Sequence, residues 1–569
     1  MVKKVSKKTL LKRQNIIQLI LSLAIIFLIN YIGSFWFSRI DLTAEKRYSL
    51  SPATINMLKK LDDIVYFKVY LEGDFPAGFK RLRNETKEML NQFRAYSKNI
   101  EYEFINPSES PDKKTRNSIY RQLYMKGLDP TNLQTAENGG RSEKIIFPGA
   151  IVTYKEREVP VQLLLSQMGV SSDQVLNNSV QSLEYSLASA IRKLSTVQKP
   201  KIGFIEGHGE LGKIEVEDIA GALSEYYSVS RVNINHKLNS LKDYKSIIIA
   251  KPDSIFDDKD KFIIDQFIMK GGKVLWLIDP VFASMDSLRN NNTTVGVINT
   301  LNLEDMLFRY GVRLNTNLIL DMQSVPIPVV TGQMGNQPQQ SLLPWYYFPV
   351  LTPSINHPIV NNLNAVRTEF ISSIDTVGAK GIKKTILLTS SKYSKVVNTP
   401  AIINLEILRK KPDPSSFNKS YIPVAVLLEG KFHSIFANRL TPEIMNNPEI
   451  GFKNISTENK MIVIADGDII KNQVYVSNGK KVPYPLGYDK YTKHTFGNKD
   501  LILNAMNYLC DDSGLISARS KELKLRLLDK SEISDSGLFW QIINIIIPIV
   551  LIIGFGIYQT TMRKRKYST

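Results

Sequence analysis

The chain has 569 residues, of which 43% are hydrophobic and 22% are charged, so it is long enough to form about three folded domains. A net charge of +19 would favour nucleic-acid binding if it were spread over a folded surface. However, residues 1–13 and 561–569 carry ten Lys and Arg residues and no acid, which leaves +9 for everything between them. The basic charge therefore belongs mainly to the two tails, and this placement argues against a nucleic-acid-binding protein.

Two long apolar stretches lie next to the basic tails. Residues 16–37 contain 22 positions without a formal charge, and residues 538–560 form the second stretch. Each is long enough to cross the hydrocarbon core of a bilayer. A cleaved signal peptide is the alternative for the first stretch, but its aromatic end lacks the small residues of a cleavage site. Because the tails 1–15 and 561–569 are both basic, the positive-inside rule places both termini in the cytoplasm and the bulk of the chain outside it, as in a two-span protein of the inner membrane with a periplasmic region.

Residues 40–198 predict an exported α/β domain. Ser51-Pro52 is typical of a helix start, because serine caps the first N–H groups and proline fits the first turn. A β-α-β unit follows, which predicts two parallel strands joined by a right-handed crossover. A hairpin and a long helix complete the domain. The predicted elements are helices 52–60, 78–98, 115–126 and 174–194 and strands 64–71, 100–105, 144–154 and 158–165.

Residues 199–530 predict a second exported α/β domain, built on strands that are apolar throughout. Strands without polar alternation are buried on both faces, as in a parallel sheet covered by helices. Ligands bind beyond the carboxyl ends of such strands. Gly207, His208, Gly209 and Glu210 directly follow the first strand and are the main candidates for a binding site. The predicted elements are strands 201–206, 246–250, 273–278 and 461–465 and helices 213–226, 258–270 and 500–509.

Residues 290–460 predict a large insertion between the two halves of this sheet, because the pattern there weakens into short strands such as 385–388 and 424–428. Within it, residues 325–358 are rich in Pro, Gly and Gln. They predict a long covering loop whose aromatic residues pack on the core. The alternative is a lip over a groove, in which Trp345, Tyr346 and Tyr347 stack against a sugar or a partner protein.

The residues that follow these strands offer few catalytic groups. His208 with Glu206 and Glu210 could form a metal or acid–base cluster, but the other histidines are scattered singly, so no metal or cofactor is predicted. Asp466 and Asp468 could bind a cation, although a capped turn is the favoured interpretation. The single cysteine, Cys510, is predicted to be a small buried apolar group. Residues 521–528 predict an edge strand or a stalk to the second apolar stretch.

Four segments carry a resemblance to a known family: residues 201–210 (KIGFIEGHGE), 271–280 (GGKVLWLIDP), 462–467 (IVIADG) and 497–500 (GNKD). With the RYSLSP segment at residues 47–52, they resemble the auxiliary subunits of uncharacterised ABC transport systems and, among them, the GldG group of gliding-motility subunits. This resemblance implies a separate ABC ATPase subunit, a separate multi-span permease subunit and a role in gliding. It also implies that the second domain is doubly wound and similar in plan to class I glutamine amidotransferases.

The amidotransferases carry a cysteine elbow after a buried strand, where this sequence has Asp279-Pro280. No serine or cysteine nucleophile stands at this turn, and the sequence has no Walker motif. The sequence therefore predicts a non-enzymatic, membrane-anchored auxiliary or binding subunit. The alternatives are an envelope hydrolase acting on glycans or peptides, with His208 and Glu210 as acid–base groups, and a structural envelope tether. The candidate ligand- or partner-binding residues are Gly207, His208, Gly209, Glu210, Asp279, Asp466, Trp345, Tyr346 and Tyr347.

Overall fold

The structure is a computed structural model, and it describes residues 7–35, 49–137, 140–334, 337–353, 355–520 and 530–567. The chain divides into two compact units, Met1–Lys521 and Glu522–Thr569. The first unit begins with the apolar helix α1 (Lys7–Phe35). Residues 521–528, for which a strand or stalk is predicted, lie outside the described residues.

The N-terminal region folds around a sheet whose described strands run in the order β2-β1-β5-β6. Strands β1 and β2 pair in parallel and are joined by α3, as the sequence predicts. The hairpin is shorter than predicted, because Phe147-Pro148 separates β5 from β4, and β4 pairs with β3 instead. The elements are α2 (Pro52–Lys59), β1 (Val65–Val69), α3 (Ala77–Tyr96), β2 (Ile100–Phe104), α4 (Lys113–Met125), β3 (Thr131–Glu137), β4 (Gly140–Ile146), β5 (Gly149–Tyr154), β6 (Arg157–Gln162) and α5 (Ser172–Ser195).

Helix α5 holds both ends of the folded body. At the beginning, Glu184 of α5 accepts hydrogen bonds from the Ser51 N–H at 2.6 Å and from the Thr54 hydroxyl at 2.9 Å. At the end, the Arg519 guanidinium lies 5.1 Å from the centre of the Tyr185 ring. Glu184 and Tyr185 are consecutive, so residues 51 and 519 both contact the same turn of α5.

The central sheet begins directly after α5 and contains the strands that position the candidate site. Its first elements are β7 (Lys201–Glu206), α6 (Glu217–Ser224), β8 (Ser228–Asn233), β9 (Ser246–Ala250), α7 (Asp258–Met269) and β10 (Lys273–Leu277). The next part of the chain contains β11 (Val281–Phe282), α8 (Met285–Asn291), β12 (Thr293–Ile298), α9 (Glu304–Tyr310), β13 (Val312–Leu314), β14 (Asn317–Asp321), β15 (Ser324–Met334), β16 (Gln337–Leu351), β17 (Val366–Arg367), β18 (Ile374–Thr376), β19 (Ile382–Thr389), β20 (Ser394–Asn398), β21 (Ala401–Asn404), β22 (Pro423–Gly430) and α10 (Pro442–Met445). The last elements of the first unit are β23 (Asn459–Ile464), β24 (Val474–Ser477), β25 (Lys480–Pro483), β26 (Tyr488–Asp489), β27 (His494–Thr495) and α11 (Asn498–Cys510).

Across the described ranges, the central sheet has the order β19-β22-β23-β10-β9-β7-β8. The five strands from β23 to β8 are parallel. Four of them, β7, β9, β10 and β23, are predicted from the sequence, whereas β8 is not. β19 and β22 add an antiparallel edge. These two strands come from residues 382–430, so the chain returns to the sheet within the segment predicted as an insertion. Strands β7 and β9 are adjacent although β8 lies between them in the chain, so the strand order reverses between β7 and β9.

Both faces of the parallel strands are buried. On one face, Phe204, Ile248 and Leu275 pack in a cluster with residues of α6 and α11. On the other face, Ile205, Ile249 and Trp276 pack in a cluster with residues of α7 and α9. The strands have apolar side chains on both sides because both sides are covered. The domain is therefore α/β with helices on the two faces of one sheet.

The two ends of the described chain carry exposed apolar helices. Residues 13–32 of α1 and residues 536–565 of the C-terminal helix α12 (Lys530–Tyr567) are long and apolar enough to cross a membrane. Within the described residues, these are the two segments with that property, and no part of either is buried by the rest of the protein. They coincide with the two apolar stretches at residues 16–37 and 538–560.

Candidate functional site

The turn after β7 lies where the strand order reverses, and glycine is needed in it. Gly209 has φ +73°, a left-handed conformation that residues with a side chain rarely adopt. A Cβ atom at this position would lie 1.5 Å from Asp253 Oδ1, in the loop after β9. The His208 carbonyl oxygen accepts hydrogen bonds from the Asp253 and Ser254 N–H groups, each at 3.0 Å. The turn is thus bound to the end of the neighbouring strand.

His208 points into the protein, with 5% of its surface exposed. Its ring stacks on Phe256, with the ring centres 3.7 Å apart. Its Nδ1 lies 3.2 Å from Glu210 Oε1, and its Nε2 lies 3.2 Å from Asp260 Oδ2. Glu206 is not part of this arrangement, because it forms an ion pair with Arg231. The His208 and Glu210 side chains are buried against one another, with 7% and 1% of their surfaces exposed. Their role in binding a ligand or partner stays a prediction.

A second histidine joins His208 through a shared carboxylate. His236, in the loop after β8, places its Nδ1 3.2 Å from Asp260 Oδ1 and 3.2 Å from Asp257 Oδ2. Asp260 therefore lies between the two imidazole rings. We call His208, Glu210, His236, Asp257 and Asp260 the histidine cluster. Sequence spacing gave no sign of it, because His208 and His236 belong to different strand ends that only the parallel sheet brings together.

A lysine–aspartate cluster lies at the carboxyl ends of the next three strands, and it consists of Lys251, Asp279, Asp466 and Asp468. Lys251 Nζ lies 3.1 Å from Asp279 Oδ2 and also forms an ion pair with Asp468. Asp279 accepts a hydrogen bond from the Gly467 N–H. A Cβ atom on Gly467 would lie 2.5 Å from the Lys251 Cβ, so glycine is what allows the ends of β9 and β23 to approach this closely.

Asp466 combines the roles of turn cap and buried charge. Its Oδ1 accepts the Asp468 N–H at 2.8 Å, which is the predicted capped turn, and its Oδ2 accepts the Glu369 N–H at 3.0 Å. Carboxylate oxygens of Asp279, Asp466 and Asp468 lie within 4.8 Å of one another. The ammonium group of Lys251 already lies among them and supplies positive charge where an added cation would otherwise be needed.

Burial dominates the ionisation of this cluster. It raises the pKa of Asp466 well above the ordinary value, and the negative charges of Asp279 and Asp468 raise it further. Burial also raises the pKa of Asp279, although Lys251 opposes the shift. For Lys251, burial disfavours the charged form, but the attraction of Asp279 and Asp468 is stronger and the pKa is raised. The lysine therefore stays charged, whereas the aspartates compete for its single positive charge.

Both clusters lie in the part of the chain that comparison with known proteins identifies. The family described as ABC-type uncharacterized transport system matches residues 199–505, which is more than half of the chain. The chain belongs to this family. Residues 44–153, which contain most of the N-terminal sheet, match a domain of unknown function. The prediction of an ABC transport auxiliary family is thereby confirmed.

The relatives of this ABC transport family member give no further activity. An uncharacterized protein of Borreliella burgdorferi is 22% identical over 573 residues, a match that covers 98% of this chain and 99% of that protein. The solved mmIFT52 N-terminal domain is 12% identical, covers 55% of this chain and 97% of its own, and has a TM-score of 0.31. PurLQS from Thermotoga maritima, also 12% identical, covers 55% of this chain and 100% of its own with a TM-score of 0.24. At these scores, neither solved structure informs the fold of this family member.

The remaining sequence-based candidates in the family domain are core residues. Trp345, Tyr346 and Tyr347 lie in β16, the middle strand of a three-stranded sheet with the order β15-β16-β17. The predicted covering loop is therefore wrong, although its aromatic residues pack on the core as predicted. All three are buried in one apolar cluster and present no ring face to a ligand. The alternative interpretation, in which they form a lip over a groove, is therefore also wrong. Cys510 is buried as predicted, and its burial raises the thiol pKa to about 11. The Asp279-Pro280 turn holds a carboxylate that is committed to Lys251 and Gly467.

Proposed function

We propose that this chain is a membrane-anchored auxiliary subunit of an ABC transporter, one that binds a ligand or partner and catalyses no reaction, in a gliding-motility system. Its partners would be a separate ABC ATPase and a multi-span permease. Membership of the family supports the transporter assignment. The proposal includes a central domain that is doubly wound and similar in plan to glutamine amidotransferases, which the strand order and the helices on both faces of the sheet support.

The observation that carries the non-enzymatic assignment is the state of the polar groups at the carboxyl ends of the parallel strands. His208 is held between Glu210 and Asp260, and neither ring nitrogen faces a serine or cysteine. At the elbow position, Pro280 has no backbone N–H to offer to an oxyanion. An acyl-transfer mechanism needs a nucleophile, a base and an oxyanion donor together. The residues at these positions favour a rigid surface for association over a reactive centre.

Copurification tests the partnership. From native membranes solubilised in detergents that keep known ABC complexes intact, the full-length chain should retain an ABC ATPase and a multi-span permease, identified by mass spectrometry. Two apolar helices are too few to enclose a translocation path, so the path must come from a partner. A matched preparation that carries the affinity tag on an unrelated two-span protein controls for carry-over. Recovery of the isolated chain without either partner would contradict the proposed function.

The hydrolase alternative is decided by a direct assay. The purified full-length chain is incubated with peptidoglycan fragments, other glycans and amide substrates, alongside the variant His208→Gln. We expect no turnover by either protein. If the original chain turns over a substrate and His208→Gln does not, the chain is an envelope enzyme and the non-enzymatic assignment is wrong.

The proposed topology places both termini in the cytoplasm and the folded body outside it, anchored in the inner membrane. The basic residues next to both apolar helices support it, because the positive-inside rule places such residues in the cytoplasm. In intact spheroplasts, added protease should digest the region 49–520 and spare epitope tags fused to the two termini. In permeabilised spheroplasts, the tags should be lost as well. Loss of the C-terminal tag in intact spheroplasts would contradict this orientation.

A further inference from the structure

The histidine cluster contains three ligand atoms with the spacing of a metal site. His236, Asp257 and Asp260 each place one ligand atom within 4.8 Å of the other two. The histidine nitrogen is 3.2 Å from each of the two oxygens. A zinc ion with bonds of about 2.0–2.2 Å in tetrahedral geometry separates its ligand atoms by roughly 3.3–3.6 Å. A small outward movement of these side chains would therefore make room for the ion.

We propose that His236, Asp257 and Asp260 bind a divalent transition-metal ion of the zinc type. This goes beyond the proposed function and does not depend on it. One imidazole nitrogen and two carboxylate oxygens make the site a better match for zinc than for magnesium or calcium, which prefer oxygen ligands alone. Three protein ligands leave a fourth position for water or for an oxygen atom of a bound compound, as in zinc sites that interact with a substrate.

The groups behind the three ligands hold Asp260 in place. Its second oxygen, Oδ2, lies 3.2 Å from His208 Nε2, and the other nitrogen of that ring lies 3.2 Å from Glu210. Its Oδ1 also accepts the backbone N–H of His236 at 3.0 Å. Metal ligands are commonly oriented by such a second layer of hydrogen bonds, and losing one partner typically weakens metal binding about 10- to 100-fold. His208 thus acquires a specific role as a positioning residue.

One side of the proposed metal site is buried, and the other side is open to solvent. Asp260 and His208 are each about 7% exposed at the side chain, whereas His236 and Asp257 are 48% and 50% exposed. An ion can therefore reach the ligands from solvent. The site also lies beside the reversal of strand order between β7 and β9, where α/β sheets bind their ligands. A dication would offset the negative charge that Glu210, Asp257 and Asp260 bring together.

The backbone at His236 has an unusual conformation. Asn235 and His236 both have positive φ, at +43° and +56°, although neither is glycine. Such conformations cost free energy and persist where the surrounding structure requires them. Lys251 of the lysine–aspartate cluster also has positive φ, at +53°. That cluster, however, already holds an ammonium group between two of its carboxylates, so the histidine cluster is the better metal site.

The test measures zinc binding to the full-length chain, purified in detergent with a histidine-free affinity tag and stripped of metal by a chelator. Calorimetric titration with ZnCl₂ should give one site per chain, and Co²⁺ should produce the visible absorption of a tetrahedral complex. His236→Asn and Asp257→Asn should each weaken binding at least tenfold, and His208→Gln should weaken it about 10- to 100-fold. Asparagine is chosen at position 236 because it tolerates positive φ. The matched control His494→Asn, at an exposed histidine in β27, should bind zinc like the original chain.

Several results would overturn the proposal. One is the absence of stoichiometric zinc binding, and another is unchanged affinity in both His236→Asn and Asp257→Asn. Displacement of zinc by an equimolar amount of Mg²⁺ would contradict the transition-metal assignment. Circular dichroism establishes that each variant is folded. If His236→Asn fails to fold, Asp257→Asn decides the question alone, because its side chain is half-exposed and its replacement keeps an oxygen that can cap α7.

Discussion

Replacing Lys251 with methionine is expected to destabilise the folded body by about 3–5 kcal/mol at pH 7, the usual cost of removing one partner from a buried ion pair. Asp279 and Asp468 would lose the cation they share while remaining largely inaccessible to water, and Asp468 would keep the longer contact of 3.7 Å with Lys471. Methionine keeps most of the aliphatic length of lysine, so packing changes little. Urea unfolding of the full-length chain, followed by tryptophan fluorescence to which buried Trp276 of β10 contributes, measures the loss.

The cost of this substitution should increase with pH. Burial raises the pKa of Asp466 and Asp279 in the folded protein, so above the ordinary Asp pKa the folded state holds more protons than the unfolded state. The free energy of unfolding therefore falls as the pH rises from the pKa that these two aspartates have in the unfolded chain to the higher pKa that they have in the folded protein. Lys251 lowers the pKa of both groups, so its removal extends that fall to higher pH. At about pH 4 and below, where carboxyl groups become protonated in the unfolded chain too, we expect the difference from the original chain to shrink.

Two variants control this experiment. Lys259→Met makes the same chemical change at an exposed position of α7 and should alter stability by no more than about 0.5 kcal/mol. The double variant Lys251→Met/Asp468→Asn also removes the charge of one of the two carboxylates that Lys251 contacts, so it should be more stable than Lys251→Met alone. A loss in Lys251→Met that matches that of Lys259→Met, or that does not vary with pH, would show that Lys251 is not the counter-ion of this cluster.

The sheet could be predicted where its strands are buried on both faces. β9 and β10 are apolar at nearly every position, and no other environment suits such segments in a soluble domain. β8 was missed because it is a half-exposed edge strand with Ser and Arg among its residues. β19 and β22 were recognised as short strands, but nothing local indicates that they extend the central sheet rather than form an insertion. Their antiparallel pairing depends on contacts far apart in sequence.

The sequence predicts where the candidate site lies but not which residues form it. The turn after β7 was found because a glycine pair follows a buried strand. Lys251 was overlooked, although a charged residue directly after an all-apolar strand is a usable signal. His236 could not be linked to His208 from spacing, since the two are joined through Asp260 at the start of a third element. The aromatic run around Trp345 was misjudged as a loop because its prolines obscure the strand pattern. Proline is tolerated where a strand edge needs no ladder partner, and β17 pairs with Val350 and Leu351 of β16 rather than with its prolines.

Gly209→Ala is expected to destabilise the same folded body by two separate effects. The left-handed backbone at φ +73° costs a residue with a side chain about 1–2 kcal/mol. The new Cβ would also lie 1.5 Å from Asp253 Oδ1 and 2.3 Å from its Cγ. Overlap of this kind costs typically 1–3 kcal/mol unless the neighbouring side chain moves away. Asp253 is exposed and can rotate. We therefore expect the free energy of unfolding, measured by urea unfolding, to fall by about 2–4 kcal/mol, the sum of the backbone cost and the overlap cost.

A double-mutant cycle separates the two effects. Asp253→Ala removes both overlapping atoms, so Gly209→Ala should cost only about 1–2 kcal/mol in the Asp253→Ala background, the part due to the backbone. Gly221→Ala provides a matched control at an exposed position of α6, where a Cβ meets nothing within 4 Å. It should stabilise the protein by about 0.5–1 kcal/mol, because alanine is the better helix former. If Gly209→Ala proved as harmless as Gly221→Ala, the turn after β7 would not require its left-handed conformation. The placement of His208 against Asp260 would then lose its structural basis, because this turn is what directs the ring inward.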